Sequence, residues 1–109
     1  MLFRSVVAGE FGRTPKVSTL PGETISGRDH WAKVYSGLFA GGGVVGGRVI
    51  GKSDRGGASP VSESYTPFDI GATIFRALSV DPESEIRDSQ NRPSRVCAGT
   101  PMDVLFRDR

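Results

Sequence analysis

An α/β fold is what the sequence predicts, and two stretches carry that reading. Residues 5–8, Ser-Val-Val-Ala, are short, apolar and β-branched, the pattern of a buried strand that Leu2 and Phe3 would extend. Residues 66–78 carry the start signals and apolar spacing of an amphipathic helix. A strand so near the first residue, with no partner before it, reads as an inner strand of a sheet whose other strands are absent. The chain has 109 residues, enough for one domain. A chain of this size buries roughly two thirds of its unfolded surface, so its core is modest. Its fifteen glycines and seven prolines make it rich in loops, and the clustering of the glycines points to specified turns rather than disorder.

The first strand runs into Gly9-Glu10-Phe11-Gly12-Arg13-Thr14-Pro15. Two glycines, a proline and an acid suit a turn that projects functional side chains from the carboxyl end of a strand, the end at which ligands bind in α/β sheets. Glu10 and Arg13 are the site candidates here, against the alternative of a surface ion pair across a turn. Residues 16–26 are polar, with Pro21-Gly22 as a turn signal, and form a loop toward the next motif.

That motif, Gly27-Arg28-Asp29-His30-Trp31, is the most informative in the chain and holds its only histidine. A neutral imidazole ligates metals or moves protons near neutral pH. The adjoining aspartate can ligate, orient the ring or remain charged beside it. The guanidinium of Arg28 suits an oxyanion. The competing reading is a hydrogen-bonded structural histidine, since no second histidine or cysteine lies nearby.

Residues 31–40 are ambiguous: Trp31, Val34, Tyr35 and Leu38 fit a helical face, whereas Gly37 weakens a helix and residues 38–40 suit a strand. In residues 41–51, two apolar pairs separated by Gly46-Gly47 predict a hairpin or a close backbone approach. Gly46, Gly51, Lys52 and Ser53 also satisfy the phosphate-loop spacing G-x-x-x-x-G-K-[ST]. That motif works only where the loop closes onto a helix N-terminus. Asp54-Arg55-Gly56-Gly57-Ala58-Ser59-Pro60 cannot start a helix, which argues against nucleotide binding. Asp54 is either a solvated turn residue or an acid supporting a ligand from behind.

Thr66-Pro67-Phe68-Asp69 is the clearest helix start: a capping hydroxyl, proline at the first helical position and an acid facing the dipole. Ile70, Ile74 and Leu78, widened by Phe68 and Phe75, form the expected apolar stripe, with the helix ending near Ser79. Residues 83–95 read as a charged loop broken at Asn91-Arg92-Pro93, and residues 104–106 as a short closing strand or docked tail.

The net charge is +2, and the arginines are scattered among acids without a basic run, so nucleic-acid binding has no support. Cys97 is the only cysteine, which excludes an internal disulfide and suits a small half-buried apolar residue. No stretch is apolar enough for a membrane span, and the residues after Met1 do not read as a signal peptide.

Several blocks together resemble a known family. These are Glu10-Phe11-Gly12-Arg13-Thr14-Pro15, Gly27-Arg28-Asp29-His30-Trp31, Ala40-Gly41-Gly42-Gly43, Gly46-Gly47, Gly51, Ser53-Asp54, and Asp69 with Ala72-Thr73-Ile74. They look like the C-terminal part of the sulfatase-like bacterial proteins of domain-of-unknown-function family 1501, in the alkaline phosphatase superfamily, from about Ser5 onward. The resemblance implies a mostly parallel sheet flanked by helices, incomplete in this chain, which would be a single partial domain over residues 1–109. It implies a metal-dependent hydrolase of sulfate or phosphate esters, with a divalent metal ion as cofactor.

In the superfamily an Asp-His-Gly block supplies ligands to one metal and a later histidine serves the other. By position, Glu10-Phe11-Gly12 resembles the first block and His30 the second. The metal residues expected from the resemblance are therefore Glu10, Asp29 and His30, and the anion-holding residues Arg13 and Arg28. Phe11 stands where many members place a histidine, and phenylalanine cannot bind a metal. Glu10 keeps an oxygen donor on a longer arm. Family members are several times longer, and no Ser, Thr or Cys here occupies a recognisable nucleophile block. The expectation is thus a C-terminal segment carrying half a site and inactive alone, from a parent that acts on an ester; its localisation is open between a cytoplasmic protein and a piece whose targeting segment lies elsewhere, on a parent exported to the periplasm. A non-catalytic binding or structural module is the alternative. An exposed sheet edge on such a segment predicts self-association.

Overall fold

The computed structural model describes residues 4–107. In chain order it forms strands β1 (Arg4–Ala8), β2 (Gly12–Arg13), β3 (His30–Trp31) and β4 (Gly37–Gly41), helix α1 (Pro67–Ala77), strands β5 (Glu85–Arg87) and β6 (Pro93–Arg95), and a 3-10 helix over Asp103–Phe106. The strands pair two by two, β1 with β4, β2 with β3 and β5 with β6. The last two pairs are antiparallel. The chain divides into two compact units. The first comprises the residues up to Ser5, Ala40–Gly47 and everything from Tyr65 onward; the second comprises Val6–Phe39 and Arg48–Ser64.

These pairs correct the expected architecture. Among the described residues there is one α-helix and no parallel sheet flanked by helices, so the chain is not a portion of an alkaline-phosphatase-like α/β fold. A parallel sheet needs crossover connections of a dozen or more residues, usually helical, between its strands. Here the only long helix follows all four of the first strands, so it cannot cross between them. Strand β1 forms where the β-branched run predicts it, but all five of its residues are exposed, Val7 at 65%. Among the described residues it pairs with β4 alone, and the exposure of all five residues shows that no sheet or helix layer buries it. Leu2 and Phe3 lie outside the described residues.

In the first unit, α1 begins as its sequence dictates. The Thr66 hydroxyl accepts from the Asp69 N–H, and the Asp69 carboxylate accepts from the Thr66 N–H at 2.7 Å, closing a capping box with Pro67 at the first position. The helix ends at Ala77, and Ser79 adopts a positive φ of 63°. The expected stripe does not carry the core. Phe68, Ile74 and Leu78 are exposed, and the buried helix residues are Ala72 and Thr73. The small side chain of Ala72 and the two-way hydrogen bonding of Thr73 admit the chain around Met102 and Leu105, both buried. Thr73 Oγ1 donates to the Asp69 carbonyl at 2.6 Å and accepts from the Met102 N–H at 2.8 Å. The predicted tail of residues 104–106 does dock, as a 3-10 helix whose Leu105 carbonyl accepts from Val45 N–H.

Three local expectations are also revised. The ambiguity over residues 31–40 resolves against the helix: Trp31 ends β3, residues 38–40 lie within β4 as their sequence allows, and residues 32–36 connect the two strands. Residues 41–51 form no hairpin: Gly41, Gly42 and Gly43 all take positive φ, and the chain turns at once, with Val44 N–H donating to Gly41. Residues 83–95 are not simply a loop. Strands β5 and β6 pair Glu85 with Arg95 and Arg87 with Pro93 around a tip in which the Asp88 carboxylate accepts from the Gln90 and Arg92 N–H groups.

Candidate functional site

The second unit brings the two informative motifs together. A turn closed by Glu23 N–H on the Leu20 carbonyl, with Gly22 at φ 87°, reverses the chain where Pro21-Gly22 predicts it. Ser18 and Gly27 then exchange both backbone hydrogen bonds at 2.8 Å, and Thr14 N–H donates to the Asp29 carbonyl at 2.9 Å. The Thr14 hydroxyl returns the link by accepting from the Asp29 N–H at 3.0 Å. Strands β2 and β3 continue the ladder, setting Arg13 opposite His30 and Gly12 opposite Trp31. Gly12 is buried, and any Cβ there would lie 1.9 Å from the Val34 carbonyl oxygen. Glycine is what allows this approach.

On one side of the ladder, Phe11 stacks on His30 with ring centroids 3.7 Å apart and planes inclined by 30°. The Arg13 guanidinium lies 5.6 Å from the Phe11 centroid, and its Nη1 donates to the Arg28 carbonyl at 3.2 Å. Stacking occupies a ring face and leaves the imidazole edge, which carries both nitrogens, free of the phenyl group. His30 is exposed, as are Glu10, Arg13, Arg28 and Asp29. Sequence reasoning did not find this stack. Its signal was the aromatic residue within the Glu-Phe-Gly-Arg block, which the resemblance makes a lost ligand.

Neighbouring residues in an extended segment point to opposite faces. Asp29 and Trp31 therefore face away from the side that His30 shares with Arg13. Glu10 lies in the bend before Phe11. Among the described residues, no group of three or more His, Cys, Asp or Glu side chains could hold a metal ion. The candidate residues are thus neighbours along one ladder, with His30 and Arg13 directly paired, and they do not converge as a closed ligand set.

The opposite face is tied down at Trp31. Its indole N–H donates to the Ala58 carbonyl at 2.8 Å, and Lys33 Nζ lies 5.5 Å from the indole centroid. Ala58 belongs to a turn organised by Asp54, whose carboxylate accepts from the Ala58 N–H at 2.7 Å while its carbonyl accepts from Gly57 N–H. Ser53 and Pro60 pair across the base of this turn. Ser53 leads into this turn and not into a helix, the next helix beginning at Pro67, so the phosphate-loop spacing is coincidental, as its context indicates.

The first unit contains an open cavity of about 420 Å³, lined by Arg76, Asp81, Glu83 and Thr100 among others. Arg76 is engaged with Asp103 there. Beside it, Asp69 is held below the ordinary carboxylate pKa by the Thr100 and Thr66 backbone N–H groups, against the opposing effect of burial. None of the candidate residues borders this cavity.

Among the described residues the structure therefore defines a chain of short strand pairs and one capped helix, with exposed His30 and Arg13 beside a half-buried Phe11 on a two-stranded ladder. The family described as "Protein of unknown function (DUF1501)" matches residues 5–106, almost the whole chain, and the chain belongs to that family. No curated protein and no solved structure matches it.

Proposed function

We propose that this chain supplies part of the site of a sulfatase-like, metal-dependent hydrolase of sulfate or phosphate esters, the chemistry of the alkaline phosphatase superfamily its sequence resembles. The observation that carries the reading is the β2–β3 ladder, which draws the Glu-Phe-Gly-Arg-Thr-Pro and Gly-Arg-Asp-His-Trp blocks together and pairs Arg13 with His30. Arg13 and Arg28 hold the ester oxyanion through their forked donors. His30 offers an imidazole nitrogen at the edge of its ring, and Glu10 and Asp29 offer oxygen donors on either side of it in the chain. A divalent cation, when bound, would neutralise charge building on the transferring group. The described residues do not bring three such donors together, so Glu10, Asp29 and His30 would not hold such a cation by themselves. No Ser, Thr or Cys stands in a recognisable nucleophile block, and the chain alone is not expected to turn an ester over.

The second reading, a binding or structural module without chemistry, draws on Phe11. It covers a face of the only imidazole from the position where the resemblance expects a ligating histidine.

The test compares metal content and hydrolysis of an aryl sulfate and an aryl phosphate by the complete gene product and its His30→Ala variant. Metal and activity lost together support the hydrolase. Unchanged metal with no hydrolysis in either protein overturns it in favour of the module.

A further inference from the structure

The hydrolase reading leaves unexplained why Asp54, 24 residues beyond His30 in the chain, is half-buried in a turn directly against the His30 strand. The turn is poorly specified without it. Gly56 and Gly57 supply two of its residues, and Gly57 takes φ 70°. Glycines give such a turn freedom rather than definition. The definition comes from Asp54. Its N–H donates to the Ser59 carbonyl at 2.8 Å, its carbonyl accepts from Gly57 N–H at 3.0 Å, and its Oδ1 accepts from Ala58 N–H at 2.7 Å. This last bond fixes Ala58 at its N–H, and the carbonyl of the same residue, in the next peptide group, accepts the Trp31 indole N–H at 2.8 Å. Trp31 is the residue after His30, and the two make up β3.

We propose that Asp54 is a positioning residue. Its carboxylate shapes the turn that anchors Trp31, and through Trp31 it fixes β3 so that His30 is held against Phe11 and opposite Arg13. Asp54 touches none of the candidate ligands or anion-holding residues by any contact described above, so its influence runs through the indole. The action required of it is a hydrogen bond, not a charge, because its partner is a backbone N–H. That requirement separates positioning from direct contact with a cation or an ester, where the negative charge itself would matter. The task assigned to His30 rests on the hydrolase reading; the coupling from Asp54 to His30 does not.

The chain has one tryptophan and one histidine, so nuclear magnetic resonance gives a single indole N–H signal and a single set of imidazole signals. In the unaltered chain the bond to Ala58 should slow indole N–H exchange, and the stacked Phe11 ring should shift the His30 ring-proton signals. Asp54→Ala should speed indole exchange by about tenfold, the weight of one hydrogen bond, and move the His30 signals toward those of a free histidine. Asp54→Asn keeps the acceptor oxygen and should restore both. Amide exchange at Ser18 and Gly27, whose paired backbone bonds lie in the same unit as Asp54, monitors folding of that unit. Unmoved indole and imidazole signals in Asp54→Ala overturn the proposal, and so does an Asn variant as perturbed as the Ala variant. Should Asp54→Ala lose the Ser18–Gly27 protection, Trp31→Phe decides: displaced His30 resonances support the coupling and unmoved ones overturn it. An absence of ester hydrolysis in the complete gene product overturns the hydrolase reading and leaves this result standing.

Discussion

Gly12 carries a hydrogen where any side chain would collide with the Val34 carbonyl, and the pairing of Arg13 with His30 depends on that space. Gly12→Ala should destabilise the chain by about 2 kcal/mol or more, because the clash is with backbone and cannot be relieved by a rotamer change. Amide exchange at Thr14 and Asp29, the ladder's next pair, should rise with it. Asp69 is one of two carboxylates whose titration the fold lowers, Asp88 being the other. The folded pKa of Asp69 lies below the ordinary value of 3.8, through the Thr100 and Thr66 N–H groups. A depressed carboxylate stabilises the fold fully above the unfolded pKa and loses that stabilisation as pH falls through the folded one. Denaturant midpoints should therefore drop below about pH 3.8, and Asp69→Asn should flatten that drop. Some slope should persist from Asp88, which the Arg92 backbone and side chain also hold low. Of these features, the sequence showed that Asp69 faces a helix N-terminus. It did not show the bond to Thr100, because nothing local links residues 31 positions apart.

At the scale of elements, α1 was the most legible. Its start is written in four consecutive residues, each acting on backbone groups within one turn. Its buried face was not legible. Apolar periodicity favoured Ile70, Ile74 and Leu78, yet the tightest contact is made by Ala72 and Thr73, where small size and hydrogen bonding outweigh hydrophobicity. Thr73→Val keeps the shape and removes the hydroxyl, leaving the Met102 N–H buried without its partner. A loss of about 1–3 kcal/mol is expected by chemical denaturation. The β5–β6 hairpin escaped the reading because its strands are exposed and charged, so no alternation of apolar and polar residues marks them. The β2–β3 pair escaped because two-residue strands carry no period at all, although the resemblance placed both motifs in one site.

Across the whole molecule, the apolar burial is unevenly shared. Ala72, Met102 and Leu105 lie in the first unit, whereas Val6, Val7, Leu38 and Val49 of the second are exposed. Amides with few buried contacts open at low cost. Hydrogen exchange should therefore show α1 protected well beyond the β2–β3 ladder, and equal protection in both units would contradict this account. The expected α/β sheet failed at this scale for a related reason. A β-branched run states that a segment is extended, but not how many neighbours it has or what lies over it. The exposed edge of β1 keeps self-association open as a proposal, testable by sedimentation with and without Val7→Lys, a charge placed where pairing would bury it.

The hairpin tip over residues 88–92 has a practical meaning. All five residues are exposed, and the strands at its base are joined by their own pairing and by Val96 N–H to Ser84. A loop of this kind accepts foreign sequence at a closure cost that grows only with the logarithm of its length. For anyone wishing to tether, image or immobilise this chain, it is a natural attachment point, set in a different unit from the face that carries His30.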